Sequence, residues 1–96
     1  MKNVAVVGLG FVGLTLSVVA AKKGYSVYGI DTNEKILKQL AKGKAHFYEK
    51  DIDAAIQTVK GKSFYADKSF DTFDHINFGY IIITVGTPIS DDKKLN

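Results

Sequence analysis

The sequence contains no cysteine, tryptophan or arginine, and it has a single proline. Without cysteine the chain has no disulfide, no thiolate metal site and no cysteine nucleophile of its own. This composition fits a reducing compartment, and we expect a cytoplasmic protein. All 13 basic residues are lysines, spread along the chain without interleaved aromatic residues. The net charge of +3 therefore does not predict nucleic-acid binding.

Long hydrophobic runs are also missing. The longest, residues 11–21, is interrupted by Gly13, Thr15 and Ser17, which makes it too short and too polar to span a bilayer. Only Lys2 precedes the first apolar run, so neither a signal peptide nor a membrane partner is expected. The 96 residues, 46% hydrophobic and 24% charged, predict one small globular domain over residues 1–96.

Three glycines that follow the first apolar run organise the chain. Gly8, Gly10 and Gly13 have the spacing G-x-G-x-x-G between a predicted strand and a predicted helix. We expect Gly8 to adopt a conformation that side chains disfavour, Gly10 to let a diphosphate approach bare backbone, and Gly13 to allow close helix-to-strand packing. The N–H groups of the helix start then face the anion. The pattern predicts a dinucleotide site, and a glycine turn in another kind of α/β protein is the alternative.

The rest of the chain alternates strand and helix patterns. Predicted strands cover residues 2–8, 26–31, 62–66 and 79–85, the first central, the third at an edge and the fourth buried. Predicted helices cover residues 11–23, mostly apolar and largely buried, and 49–60. Between them lies a helix that Thr32 or Asn33 caps and Gly43 ends, with a core face of Ile36, Leu37, Leu40 and Ala41. A poorly defined turn or helix follows at residues 69–73. The order predicts a Rossmann-type α/β fold, a doubly wound parallel sheet of four strands in the order 3-2-1-4.

Asp31 ends the second strand, 18 positions after Gly13. A carboxylate there accepts hydrogen bonds from the adenosine ribose hydroxyls and repels a 2′-phosphate. No arginine follows it to bind such a phosphate, so the sequence favours NAD over NADP. The alternative is that Asp31 only caps the next helix, and both roles are compatible.

Other polar residues carry weaker predictions. Thr84, Gly86, Thr87 and Pro88 lie at the carboxyl end of the fourth strand. Either a hydroxyl there reaches the diphosphate or a ribose of a bound ligand, or the strand simply ends at glycine and proline.

His46 and His75 have no partners at metal-ligand spacing, so they are expected at the surface and no metal site is predicted. Acidic residues near Tyr48, namely Glu49 and Asp51, are expected to interact with a helix dipole rather than to carry out chemistry.

Four segments together match one family pattern: VVGLGFVGL at 6–14, GIDTNE at 29–34, LAKG at 40–43 and TVGTP at 84–88. The chain resembles the amino-terminal NAD-binding domain of the UDP-glucose, UDP-N-acetylmannosamine and GDP-mannose dehydrogenase family, and TVGTP is the discriminating segment. The resemblance implies NAD contacts at eight residues. They are Gly8, Gly10, Phe11, Val12 and Gly13 along the diphosphate, Asp31 at the ribose, and Val85 and Thr87 beside the adenosine.

The chain departs from the family pattern at two places. Glu49 is followed by Lys50 and Asp51, where members often have Glu-Pro-Gly. Ile36 stands where members often carry a basic residue, although Lys35 is adjacent.

The resemblance implies an NAD-dependent enzyme that oxidises the C6 alcohol of a nucleotide sugar to a carboxylate through a cysteine of a later domain. Because this chain has no cysteine, we expect a truncated domain without activity of its own, which meets the nucleotide sugar only in the complete enzyme. The alternatives are another dehydrogenase, of the hydroxyacid or hydroxyacyl-CoA type, and a nucleotide-sensing regulatory module. The apolar fourth strand further predicts a homodimer, formed through this strand or through helix faces.

Overall fold

The computed structural model describes residues 2–84. Four strands, three α-helices and a 3₁₀ turn alternate along them in the predicted order. Their bounds are β1 Asn3–Val7, α1 Phe11–Lys22, β2 Ser26–Ile30, α2 Glu34–Ala41, α3 Ile52–Val59, β3 Phe64–Asp67, the 3₁₀ turn Phe70–Phe73 and β4 Tyr80–Ile83.

All strand pairs in the sheet are parallel, and the strand order is β3-β2-β1-β4. The predicted fold and the order 3-2-1-4 are therefore confirmed. Val6 lies opposite Gly29 of β2 and Ile82 of β4, which places β1 inside the sheet. Ala5 and Val6 are completely buried, as expected for an apolar strand covered on both faces.

Helix α1 is buried on one face only, which corrects the prediction of a largely buried helix. Its buried face carries Leu14, Ser17 and Val18 and packs against β2 and α3. Val12 is 63% exposed and Val19 is 46% exposed on the outer side. An apolar composition does not distinguish a helix packed on one side from a helix packed on both.

Helix α2 begins at the predicted cap. The Asn33 carboxamide oxygen accepts hydrogen bonds from the N–H groups of Lys35, at 2.9 Å, and Ile36, at 3.3 Å. Ile36 and Leu40 are buried, whereas Ala41 is exposed although it was expected on the core face.

Helix α3 begins three residues later than predicted. Asp51 has a φ of 68°, a left-handed conformation that does not continue a helix, so the first helical residue is Ile52. The buried face of α3 carries Ile52, Ile56 and Val59.

The prediction of a buried fourth strand was wrong within the described residues. Ile81 is 57% exposed and Ile83 is 68% exposed, because β4 is an edge strand of the described sheet. The predicted edge position of β3 is correct. An aromatic cluster covers the β2 and β3 side, with the Tyr28 ring 5.1 Å from Tyr65 and 5.0 Å from Phe73.

Candidate functional site

Hydrogen bonds hold the first two residues of the turn between β1 and α1, Gly8 and Leu9. Gly8 has a φ of 100°, the conformation that the sequence required of it. Its N–H donates to the Ile30 carbonyl oxygen at 2.7 Å, and the Leu9 N–H donates to Asp31 Oδ2 at 2.8 Å. These two bonds fasten the turn to the carboxyl end of β2.

The other two glycines of the motif have different surroundings. A Cβ on Gly10 would meet no atom within 4 Å, so the space over this part of the turn is open. A Cβ on Gly13 would overlap the Gly8 carbonyl oxygen and Thr84 Oγ1. The packing role predicted for Gly13 is thereby confirmed, and the backbone at Gly10 is accessible to a ligand.

The amino end of α1 presents backbone N–H groups without a side-chain cap. Gly10 is the N-cap residue, no side chain bonds the cap, and the first turn holds no acidic residue. The first bond of the helix runs from the Leu14 N–H to the Gly10 carbonyl oxygen at 2.9 Å. The N–H groups of Phe11, Val12 and Gly13 precede that bond and have no acceptor within the helix. This donor set fits the diphosphate of a dinucleotide.

Asp31 joins the glycine turn to the start of α2. Its Oδ2 accepts the Leu9 N–H, and its Oδ1 accepts the Asn33 N–H at 2.9 Å. Asn33, not Asp31, is the cap of α2, so the capping alternative does not explain the carboxylate. A cavity of about 120 Å³ opens beside it, lined by Val7, Gly8, Ile30, Asp31 and Thr32. Each carboxylate oxygen retains capacity for a further hydrogen bond, so the side chain fits a ribose diol.

Thr84 has a role that the sequence did not predict. Its Oγ1 lies 2.7 Å from the Gly8 carbonyl oxygen, to which it donates, and its N–H donates to the Val7 carbonyl oxygen at 2.8 Å. The hydroxyl therefore positions the glycine turn. Spacing gave no signal for this contact, which depends on the strand order. Val85 and Thr87, predicted beside the adenosine, lie outside the described residues, as do Gly86 and Pro88.

The loop before α3 lies against the start of α1. The Phe47 ring is 5.0 Å from the Phe11 ring, and the His46 ring is 4.8 Å from Phe47. His46 and His75 are both exposed, as predicted. Partial burial lowers the pKa of His46, and the nearby Asp31 carboxylate opposes that shift.

Tyr48, Glu49, Asp51 and His75 are all exposed. His75 Nδ1 lies 3.8 Å from Asp74 Oδ1 at the surface, and Tyr48 is 93% exposed. Within residues 2–84, no three histidine or acidic side chains converge as metal ligands.

A parallel α/β sheet with a glycine turn, an open helix start and a strand-end carboxylate defines a dinucleotide-binding domain. Comparison with known proteins specifies the family of this domain. Residues 2–96 match the model of the UDP-glucose/GDP-mannose dehydrogenase family, NAD binding domain, and the chain belongs to this family.

The names of individual relatives are consistent with this family. The chain is 36% identical over 92 residues to UDP-N-acetyl-D-mannosamine dehydrogenase of Pyrococcus horikoshii, covering 94% of this chain and 21% of that protein. The solved structure of UDP-D-ManNAc dehydrogenase from Pyrococcus horikoshii superposes with a TM-score of 0.82 at 32% identity, over 95% of this chain and 22% of that one. A UDP-glucose dehydrogenase from Pyrobaculum islandicum gives 0.81 at 30% identity, over 96% and 21%.

The chain thus spans between a tenth and about a fifth of the length of the curated relatives it matches. Its cofactor is NAD, as the family description states. Among the described residues, no helix is long and apolar enough to cross a membrane.

Proposed function

We propose that this chain is the NAD-binding part of an enzyme that oxidises the C6 alcohol of a nucleotide sugar to a carboxylate. Family membership supports the proposal, and the relatives are named as dehydrogenases of UDP- and NDP-linked sugars. The observation that carries it is the Leu9 N–H bond to Asp31, since it fixes a ribose-binding carboxylate next to the open start of α1.

In this proposal each part of the turn has one task. Gly8, Gly10 and Gly13 shape the turn, and the N–H groups of Phe11 and Val12 bind the diphosphate. Asp31 binds the adenosine ribose, and Val85 and Thr87 complete the adenosine side. When bound, NAD supplies the hydride acceptor for sugar oxidation. The contribution of this chain is to hold and orient the cofactor. The nucleotide sugar and the catalytic cysteine belong to the complete enzyme.

Calorimetric titration with NAD and NADP tests the proposed site. We expect NAD to bind and NADP to bind more weakly, because Asp31 repels a 2′-phosphate and the sequence has no arginine to offset it. Asp31→Ala removes charged hydrogen bonds and lowers NAD affinity about tenfold or more. Equal affinity for NADP, or an unchanged NAD affinity in Asp31→Ala, would contradict the ribose role.

The proposal extends to assembly and location. The apolar residues exposed along β4 support a homodimer of this chain. A cytoplasmic location is proposed from the absence of cysteine. Partners other than NAD and the nucleotide sugar, such as nucleic acid or a membrane, are not proposed.

A further inference from the structure

One peptide group of the glycine turn is held at both of its ends by side chains that follow different strands. This peptide joins Gly8 to Leu9, so its carbonyl oxygen belongs to Gly8 and its N–H belongs to Leu9. The Thr84 hydroxyl, directly after β4, donates to that oxygen at 2.7 Å. Asp31 Oδ2, directly after β2, accepts that N–H at 2.8 Å. The peptide is therefore fastened to the two strands that flank β1.

Sterics alone do not fix the orientation of this peptide. Gly8 has a φ of 100° and no Cβ, so its ψ is less restricted than that of any other residue type. A rotation about that ψ would turn the carbonyl oxygen toward the Asp31 carboxylate, and the two oxygen atoms would repel each other. Hydrogen bonds at the two ends therefore decide which way the peptide faces.

The Thr84 hydroxyl is placed by a backbone contact and by a gap at Gly13. The Thr84 N–H donates to the Val7 carbonyl oxygen at 2.8 Å, which fixes the residue beside the end of β1. A Cβ on Gly13 would overlap both Thr84 Oγ1 and the Gly8 carbonyl oxygen. The hydroxyl thus occupies space that exists only because residue 13 is glycine.

The Thr84 hydroxyl has a single proton to donate. The bond to the Gly8 carbonyl oxygen uses that proton, since the Val7 carbonyl oxygen is farther from Oγ1, at 3.3 Å. Toward an anionic diphosphate the hydroxyl then presents only lone pairs, which do not attract a negative charge. Its contribution to NAD binding is therefore indirect and acts through the turn.

We propose that Thr84 is a positioning residue of the NAD site, which keeps the peptide between Gly8 and Leu9 in the orientation that Asp31 requires. With the Gly8 carbonyl held, the Leu9 N–H stays directed at Asp31 Oδ2, and the carboxylate keeps its place beside the cavity. Without the hydroxyl, the peptide rotates more freely and the carboxylate loses one of its two anchoring bonds. The inference rests on the proposed ribose role of Asp31.

Serine and alanine at position 84 separate the hydroxyl from the rest of the side chain. Thr84→Ser and Thr84→Ala both remove the methyl group, and only Thr84→Ser keeps the hydroxyl. In calorimetric titration of the 96-residue chain, we expect Thr84→Ser to bind NAD like the unmodified chain. Thr84→Ala should bind NAD about fivefold more weakly, the size of one net hydrogen bond. Thr84 is partly buried, and unchanged circular dichroism confirms that both variants fold.

A measurement without ligand detects the orientation of the peptide itself. The amide proton chemical shift of Leu9 in nuclear magnetic resonance depends on its hydrogen bond to Asp31. It should move upfield in Thr84→Ala and stay in place in Thr84→Ser. Val59→Ala is the control for a general loss of stability, because Val59 is buried at the end of α3, just before the edge strand β3. It should lower the melting temperature and leave both the Leu9 shift and the NAD affinity unchanged.

Equal NAD affinity of Thr84→Ser and Thr84→Ala would overturn the proposal, as would a Leu9 shift that Thr84→Ala leaves unchanged. A weaker NAD affinity in Val59→Ala would also overturn it, because general destabilisation would then account for the effect.

Asp31→Asn separates this failure from a failure of the proposed function, since it keeps an acceptor for the Leu9 N–H and removes the negative charge. If Asp31→Asn leaves NAD affinity unchanged, the ribose site itself is wrong. If Asp31→Asn weakens NAD binding and the two variants of Thr84 bind NAD equally, only the role of Thr84 is wrong.

Discussion

Asp31 has an observed structural role and a proposed role in ribose binding, and the two are separable in principle. One N–H is bound at each carboxylate oxygen, from Leu9 and from Asn33, so the side chain organises two loops before any ligand arrives. The proposed ribose contact requires only the remaining acceptor capacity of these oxygens. An affinity loss in Asp31→Ala therefore combines a lost ligand contact with a loosened turn. Asp31→Asn keeps the side-chain volume and one acceptor oxygen, and for that reason it is the more informative variant.

Gly10 and Gly13 give the sharpest contrast between binding and packing. Gly10→Ala places a methyl group in open space at an ordinary φ of −70°, so the melting temperature should change little. NAD affinity should fall, because the methyl group occupies the space through which a diphosphate approaches the backbone. Thermal denaturation and calorimetric titration of the same sample measure both effects.

The matched variant Gly13→Val should instead lose stability. Its side chain would overlap the Gly8 carbonyl oxygen and Thr84 Oγ1, which costs about 3 kcal/mol of unfolding free energy. A Gly13→Val protein with normal stability would remove the packing argument. A Gly10→Ala protein with normal NAD affinity would remove the approach argument.

Helix α2 depends on its N-cap residue for a defined start. Asn33 satisfies two backbone N–H groups of the first turn through a single side-chain oxygen. Asn33→Ala should lower the unfolding free energy by about 1 kcal/mol, the usual cost of a lost cap. Urea denaturation measures this loss, and Thr32→Ala, at the exposed residue before the cap, is the control. An equal loss in both variants would show that Asn33 has no particular capping role.

The elements and their order were predictable because local signals agreed with one another. Apolar runs marked the strands, and the glycine motif located the β1 to α1 turn. The exposure of the strand side chains was not predictable from such local signals. Ile81 and Ile83 are as apolar as Val4 and Val6, and only their place at the edge of the described sheet distinguishes them. Burial of a strand depends on its neighbours, which are set by chain topology.

Backbone irregularities and long-range contacts were likewise not predictable from the sequence. Asp51 occupies a left-handed conformation, and this shortens α3 at its start. The bond from Thr84 to the Gly8 carbonyl oxygen joins residues 76 positions apart. No local pattern predicts such a contact. Glycine spacing and the position of Asp31 did predict where the β1 to α1 turn and the strand-end carboxylate lie, because both are tied to the strand-turn-helix unit itself.

The described fold leaves an apolar edge accessible. Tyr80 is 53% exposed, and Ile81 and Ile83 are more exposed still. Within residues 2–84, β4 pairs with β1 along one side, and its other side has no strand neighbour. An edge strand with apolar side chains and no lysine or proline is a template for pairing with another chain. A second copy offers the same edge, and a two-fold axis lets both edges pair at once in antiparallel orientation.

We therefore expect the chain to form a dimer whose population rises with concentration, as measured by light scattering after size exclusion. Ile81→Lys should shift the population toward monomer, because a lysine on the edge must lose its hydration when the second strand pairs. Tyr48→Lys is the control, since Tyr48 is 93% exposed and lies in the loop before α3, away from β4. Circular dichroism establishes that both variants keep the fold. A strictly monomeric chain at millimolar concentration would contradict the dimer, and a dimer that Ile81→Lys leaves intact would assign the interface to the exposed face of α1 instead.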